Sequence, residues 1–190
     1  LPLTFRSQNG DVKLRIKLFT VPGQPIHAST RKLVLQGADG VALIADSRLT
    51  ETENNAASFI DLRDNLKANG TDIGKTPLVI QFNKRDLPEI RSDEELKKMA
   101  NRGKEPVFTA VARDGVGVLE TFVALLQLTW TTLDHVHGLG HKLKVDGRAL
   151  IAEAARQLNA PASIEELLAR RLGGSFDARG MSSDAVPRGA

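Results

Sequence analysis

The chain has 190 residues, of which 41% are hydrophobic and 26% charged, so it can form one globular domain with an ordinary core. It contains no cysteine, which excludes disulfide bonds, thiolate metal sites and cysteine nucleophiles. The net charge of +3 comes without a dense basic stripe interleaved with aromatic residues, so we expect no nucleic-acid binding. No apolar run is long enough to cross a membrane and no signal peptide is evident, so we expect a cytoplasmic protein.

The first part of the chain predicts an antiparallel hairpin followed by a turn-rich loop. Residues 12–18 alternate apolar and basic side chains, and the preceding Asn9-Gly10 is a strong hairpin signal that pairs them with residues 1–6. Residues 20–25 are too rich in proline and glycine for regular structure. The basic side chains of the strand predict a solvated face, with docking of a partner as the less favoured alternative. They are Lys13, Arg15 and Lys17.

The chain from residue 41 to residue 136 predicts strands that alternate with helices. Apolar runs indicate buried strands at residues 41–45, 78–82 and 106–110. Helical periodicity and a capping-box pattern indicate helices at residues 53–68, from Ser92 onward, and at 118–136. The apolar side of the first helix is expected to consist mostly of Ala57, Ile60, Leu62 and Leu66. This alternation predicts an α/β fold with a mostly parallel sheet, helices on both faces and one antiparallel edge hairpin. Ligands of such sheets bind beyond the carboxyl ends of the strands.

A polar motif, Asn83-Lys84-Arg85-Asp86, directly follows the predicted strand at residues 78–82 and matches the guanine-reading N-K-x-D pattern. The carboxylate of Asp86 can accept two parallel hydrogen bonds from the N1–H and 2-amino groups of guanine, a pair that adenine does not offer. Asn83 can donate to N7 and tie neighbouring loops together, and the aliphatic stem of Lys84 can lie on the base plane. An ordinary polar turn is the alternative, but the position after a strand favours nucleotide binding.

The segment Val21-Pro22-Gly23-Gln24 is similar to the second half of a D-x-x-G-Q switch element. Gly23 would let a main-chain N–H approach a γ-phosphate, and Gln24 would be the catalytic residue that orients the attacking water. Thr20 stands where aspartate is usual, and a hydroxyl is a weaker partner for Mg²⁺ than a carboxylate. A Pro-Gly turn would be the better interpretation of this segment alone, whereas its combination with the downstream motif favours the switch.

A third segment, Val111-Ala112-Arg113, follows the predicted strand at residues 106–110 and stands in the place of an S-A-K loop. In that place the main-chain N–H of Ala112 would face O6 of guanine. Position after the strand is the main support for this interpretation. The predicted nucleotide-binding residues are Thr20, Gly23, Asn83, Lys84, Asp86, Val111, Ala112 and Arg113.

Together these segments resemble the MglA-type bacterial Ras-like small GTPases of gliding motility and cell polarity. The resemblance covers about residues 1–136 and rests on residues 20–24, 31–35, 45–47 and 83–88. The family also has threonine at the switch position, so Thr20 agrees with it. The resemblance implies a P-loop NTPase-type small G domain that hydrolyses GTP to GDP with Mg²⁺. It also implies effector proteins and a roadblock-fold activating partner related to MglB.

No G-x-x-x-x-G-K-[ST] phosphate-binding loop occurs in the sequence. The first strand, the phosphate loop and the Mg²⁺ ligands are therefore expected upstream of Leu1, and a gap is expected in the centre of the sheet. On this interpretation the chain is an incomplete small GTPase that by itself binds GTP negligibly and is inactive. The alternative is a nucleotide-independent interaction module, or pseudo-GTPase, that retains the G-domain surface.

A change of composition after residue 137 predicts three regions. They are a partial Ras-like G domain at residues 1–137, a helical C-terminal extension at 138–172 and a disordered tail at 173–190. Two short helices are predicted in the extension, at residues 148–158 and 163–172. Glycines interrupt the spacing of His135, His137 and His141, so we expect no metal site there, and we expect Trp130 to serve packing.

Overall fold

A computed structural model describes residues 2–6, 13–21 and 28–174 of the chain. The strands are β1 (Pro2–Arg6), β2 (Lys13–Lys17), β3 (Val41–Asp46), β4 (Leu78–Asn83) and β5 (Val107–Thr109). The α-helices are α1 (Ala28–Leu35), α2 (Thr52–Ala68), α3 (Asp93–Arg102), α4 (Val118–His137), α5 (Leu139–Leu143), α6 (Gly147–Gln157) and α7 (Ile164–Ala169). The alternation of strands and helices confirms the predicted α/β class.

The parallel sheet has the strand order β3-β4-β5. Neighbouring side chains of β4 point to opposite faces of this sheet, so Leu78 packs against α2 while Val79 packs against α4. Helices therefore cover both faces, which explains why β4 is an almost continuous apolar run. Asp46 and Asn83 are paired in the register of β3 and β4, so these strands end side by side at one edge.

The hairpin of β1 and β2 is a separate sheet in the part of the chain that the structure describes. Leu3 is opposite Ile16 in its antiparallel register, as predicted, while the Asn9-Gly10 turn lies outside the described residues. The hairpin was predicted at the edge of the parallel sheet, but within the described residues it is not hydrogen-bonded to β3, β4 or β5. The exposed positions of β2 alternate with half-buried ones, as predicted for a solvated face. They are Lys13, Arg15 and Lys17.

The helices after residue 137 share a hydrophobic core with the hairpin and α4. Leu3 and Phe5 of β1 pack in one cluster with Ala154 of α6 and Leu167 of α7, and the latter two are fully buried. Both helices predicted in the C-terminal extension are present, although α7 is shorter than predicted. The short helix α5 was not predicted, because glycines flank and interrupt it. The division of the chain at residue 137 stays a prediction.

Several packing details differ from or refine the sequence-based expectations. Ile60 was predicted on the buried side of α2 but is 48% exposed, whereas Leu62 and Leu66 are buried. A side chain at Gly147 would collide with the indole of Trp130, which confirms the packing role of Trp130.

Residues 175–190 lie outside the described part of the chain. None of the helices within the described ranges is long and apolar enough to cross a membrane.

Candidate nucleotide-binding site

A cleft of about 280 Å³ lies beyond the carboxyl ends of β4 and β5, between the loops that follow these strands. Its lining residues are Asn83, Lys84, Asp86, Leu87, Ala112 and Arg113. All of them except Leu87 were predicted to bind a nucleotide. Residues from two motifs that are well separated in sequence therefore meet in one place, where a parallel α/β sheet binds its ligands.

A larger hollow of about 550 Å³ lies between α6 and α7. It is lined mainly by alanine methyl groups, with Arg148 and Arg156 among the few charged residues. The charged side chains of its lining, which include Glu165, are each more than 70% exposed. The smaller cleft is the better candidate for a nucleotide-binding site, because residues of two predicted nucleotide-binding motifs line it.

Asn83 ties the loops around the cleft together, as predicted. Its Oδ1 accepts a hydrogen bond from the Ala112 N–H (2.9 Å), and its main-chain oxygen accepts one from the Ser47 N–H (2.9 Å). The amide nitrogen is then the group of Asn83 that can donate to a base. The Ala112 N–H, predicted to face guanine O6, is directed to the Asn83 side chain instead, because this bond closes the second loop against the first.

Asp86 presents its carboxylate to the cleft and already has a cationic neighbour. Its side chain is 20% exposed, and its Oδ2 lies 3.2 Å from Nη1 of Arg113. Arg113 is 71% exposed and also lies 3.3 Å from Asp114. The ion pair joins the two predicted motifs across the cleft.

Lys84 adopts the left-handed backbone conformation, with φ of 64°. Its Nζ lies 2.6 Å from Oδ2 of Asp46, at the end of the neighbouring strand β3. Asp46 was not predicted as a site residue. Its place next to a predicted strand end was the available signal, but the contact depends on the sheet register, which the sequence does not reveal.

Asp46 is itself held by a network of hydrogen bonds. Arg48 donates to the carboxylate through Nη2 (2.8 Å) and Nε (3.1 Å), and Asn55 of α2 exchanges two hydrogen bonds with the Asp46 main chain (2.9 and 2.8 Å). The guanidinium of Arg48, and then the ammonium of Lys84, hold the pKa of the Asp46 carboxyl well below its usual range, against the opposing effect of burial. Asp46 is therefore a fixed anion beside the cleft.

Arg85, the variable position of the N-K-x-D motif, has a structural role. Its N–H donates to the carbonyl of Ala110 (3.1 Å), and its guanidinium donates to the carbonyl of Arg91 (2.6 Å) and to Asp93 (2.8 Å). These bonds fasten the loop to β5 on one side and to the start of α3 on the other. The capping box of Ser92 that begins α3 is present as predicted.

A buried polar network fixes the loop that carries Ala112 and Arg113. Gln81 of β4 donates to Thr121 Oγ1 (2.7 Å) and to the carbonyl of Gly117 (3.1 Å). Gly117 has φ of 78°, and a side chain there would collide with the main chain of Thr109. Only glycine fits this close approach, so it determines where α4 begins and where the loop before it lies.

Two of the other predicted site residues, Thr20 and Val111, do not line this cleft. Thr20 is exposed in the segment after β2. Val111 is half-buried, and its N–H donates to the carbonyl of Val116 (3.0 Å) rather than lining the cleft. Gly23 and Gln24 lie outside the described residues, so the structure does not place the switch segment.

The resemblance to MglA-type GTPases implies a bound Mg²⁺ ion. No group of three or more histidine or carboxylate side chains within residues 2–6, 13–21 and 28–174 is arranged to hold a metal ion. Asp46 and Asp86, two carboxylates at the cleft, form ion pairs with Lys84 and Arg113.

A parallel α/β sheet with an N-K-x-D loop and a second loop beyond its adjacent strands defines a Ras-like small G domain. No protein-family model matches the chain. The sequence is 45% identical over 133 residues to the mutual gliding-motility protein MglA of Myxococcus xanthus, and the match spans 70% of this chain and 68% of that protein. The chain belongs to the MglA-type family of small GTPases, which confirms the resemblance seen in its motifs.

Proposed function

We propose that the cleft beyond β4 and β5 binds the guanine base of GTP and GDP, and that the protein is a guanine-nucleotide switch of bacterial motility or polarity. The observation that carries this is the carboxylate of Asp86, which lines the same cleft as Asn83 and Lys84. A carboxylate accepts the paired N1–H and 2-amino donors of guanine, and adenine has no such pair. The amide nitrogen of Asn83 would donate to N7, while the stem of Lys84 would pack on the base.

We further propose that the protein hydrolyses bound GTP. It depends on Gln24, whose amide would orient the attacking water in the transition state while contacting bound nucleotide little. Gln24→Leu should then leave GTP affinity within a few-fold and slow hydrolysis by roughly tenfold or more. Single-turnover hydrolysis is measured with a saturating roadblock-fold partner of the MglB kind, and equal rates in parent and variant would exclude Gln24 as catalytic.

Base recognition is tested with the protein expressed from its whole reading frame and a fluorescent GDP analogue. GDP should displace the analogue far better than ADP. Asp86→Asn should weaken GDP binding by roughly 2–4 kcal/mol, because it breaks a paired, charge-assisted contact. It should also favour xanthosine diphosphate, whose extra carbonyl can accept from the new amide.

A matched control is Asp114→Asn, which makes the same chemical change on a residue that pairs with Arg113 but does not line the cleft. It should leave the ratio of GDP to xanthosine diphosphate affinities unchanged. An unaltered ratio in Asp86→Asn would exclude Asp86 as the base-reading group. Failure of every nucleotide to displace the analogue would favour the alternative, a nucleotide-independent interaction module.

A further inference from the structure

We propose that Asp46 is a positioning residue of the base site, which holds the ammonium of Lys84 so that the lysine stem forms one side of the cleft. This rests on the proposed binding of guanine. The distance from Lys84 Nζ to Asp46 Oδ2 is 2.6 Å. Among the described residues, Asp46 is the one carboxylate within ion-pair distance of Lys84.

The need for such an anchor follows from the lysine side chain itself. Its four-carbon stem is flexible, and fixing it in one conformation costs rotamer entropy. Lys84 is 48% exposed, so packing alone does not hold it. A stem fixed at both ends, by the left-handed backbone of Lys84 and by Asp46, presents a defined surface to a flat base.

The anchor is rigid because Asp46 is held independently of Lys84. Its side chain is only 14% exposed, and Arg48 donates hydrogen bonds to the carboxylate from two nitrogen atoms. Asn55 fixes the Asp46 main chain to the first turns of α2. The loss of Lys84 would therefore leave Asp46 in place, whereas the loss of Asp46 would release the lysine.

A double-mutant cycle on GDP affinity tests this role. Asp46→Ala and Lys84→Met, which keeps an aliphatic stem without the charge, should each weaken GDP binding about three- to tenfold. The double variant should bind GDP no more weakly than the weaker-binding of the two single variants, because both changes remove the same contact. Asp46→Asn replaces Asp46→Ala if the latter does not fold.

The matched control is Glu120→Gln. Glu120 is also a largely buried carboxylate, and it accepts a hydrogen bond from Arg170 at the same distance of 2.6 Å. Its loss should lower stability but leave the GDP affinity within twofold of the parent. Additive effects in the double variant, or an Asp46→Ala protein with parental affinity, would overturn the positioning role. A parent that binds no guanosine nucleotide would instead overturn the proposed function.

A second measurement needs no nucleotide. Acetic anhydride should acetylate Lys84 several-fold faster in Asp46→Ala than in the parent, because the ammonium is no longer held by a carboxylate. The exposed Lys67 of α2 serves as an internal reference, and mass spectrometry gives both rates. An unchanged ratio of the two rates would show that Asp46 does not hold the lysine.

Discussion

Nη1 of Arg113 lies 3.2 Å from Oδ2 of Asp86, so a guanidinium faces the carboxylate proposed to read guanine. The pair joins the two loops of the cleft. A base that binds Asp86 through two hydrogen bonds must share or displace this partner. We therefore expect Arg113 to oppose the binding of a base to Asp86.

Replacing Arg113 tests this competition. Arg113→Ala should raise the affinity for GDP two- to fivefold, because an exposed ion pair is worth at most about 1 kcal/mol and no longer opposes the base. Arg63→Ala, which removes another exposed arginine paired with a neighbouring aspartate, is the control. A weaker affinity in Arg113→Ala would mean that the guanidinium contacts the nucleotide itself.

The low pKa of Asp46 predicts a pH-dependent contribution to stability. Because the pKa is lower in the folded protein than in the unfolded chain, the ion pairs stabilise the fold above about pH 4 and are lost as the pH falls further. The free energy of unfolding of the parent should exceed that of Asp46→Asn by about 1–3 kcal/mol at neutral pH. This difference should shrink below about pH 4 in urea titrations.

The control for this titration is Asp64→Asn, which removes a half-exposed carboxylate paired with Arg63 in α2. It should change the free energy of unfolding by less than about 0.5 kcal/mol at any pH. A stability difference for Asp46→Asn that stayed constant down to about pH 2 would show that the carboxylate charge does not supply the stabilisation.

Ser47 carries a fully buried hydroxyl that has no hydrogen-bond partner in the described residues. Its main chain is well bonded, since its N–H donates to Asn83 and its carbonyl accepts from Arg91. Ser47→Ala should therefore raise the free energy of unfolding by about 1 kcal/mol, because it removes an unpaired polar group. Ser58→Ala, which removes a hydroxyl bonded to Asn54, should give a smaller gain of at most about 0.5 kcal/mol, from helix propensity. A loss of stability in Ser47→Ala would contradict the prediction.

Replacing either member of the ion pair of Glu120 and Arg170 should lower stability, but by different amounts. The glutamate is 8% exposed and the arginine 54%. Arg170→Ala should cost about 2–3 kcal/mol of stability, because it leaves a charge buried without a partner, while Glu120→Gln should cost about 1 kcal/mol. Urea unfolding measures both, and adding Glu120→Gln to Arg170→Ala should recover stability. Equal costs for the two single variants would argue against a buried charge.

The sequence predicted most strands and helices, as well as the N-K-x-D loop, because those features are local. Apolar runs, helical periodicity and a capping box each depend on residues within a few positions of one another. The loop at Asn83 was recognisable since it directly follows such a run. The guanine recognition proposed for this loop rests on its residue types.

The contacts that shape the site were beyond prediction because they connect distant parts of the chain. Asp46 and Lys84 are 38 positions apart, and Gln81 and Thr121 are 40 apart. Gln81 stands as one polar residue in an apolar strand, which was a usable signal for a buried hydrogen bond. Ile60 was misassigned because a helical repeat does not say how far the neighbouring sheet extends.

The packing of β1 against the last helices has a consequence for synthesis on the ribosome. Thr4 accepts a hydrogen bond from Gln157, 153 residues later in the chain, and Leu3 and Phe5 are buried by residues of α6 and α7. At about 5–20 residues per second, β1 leaves the ribosome on the order of 8–30 s before its covering helices exist. We expect the apolar face of β1 to stay exposed throughout that interval, and to be covered only after α7 has left the ribosome.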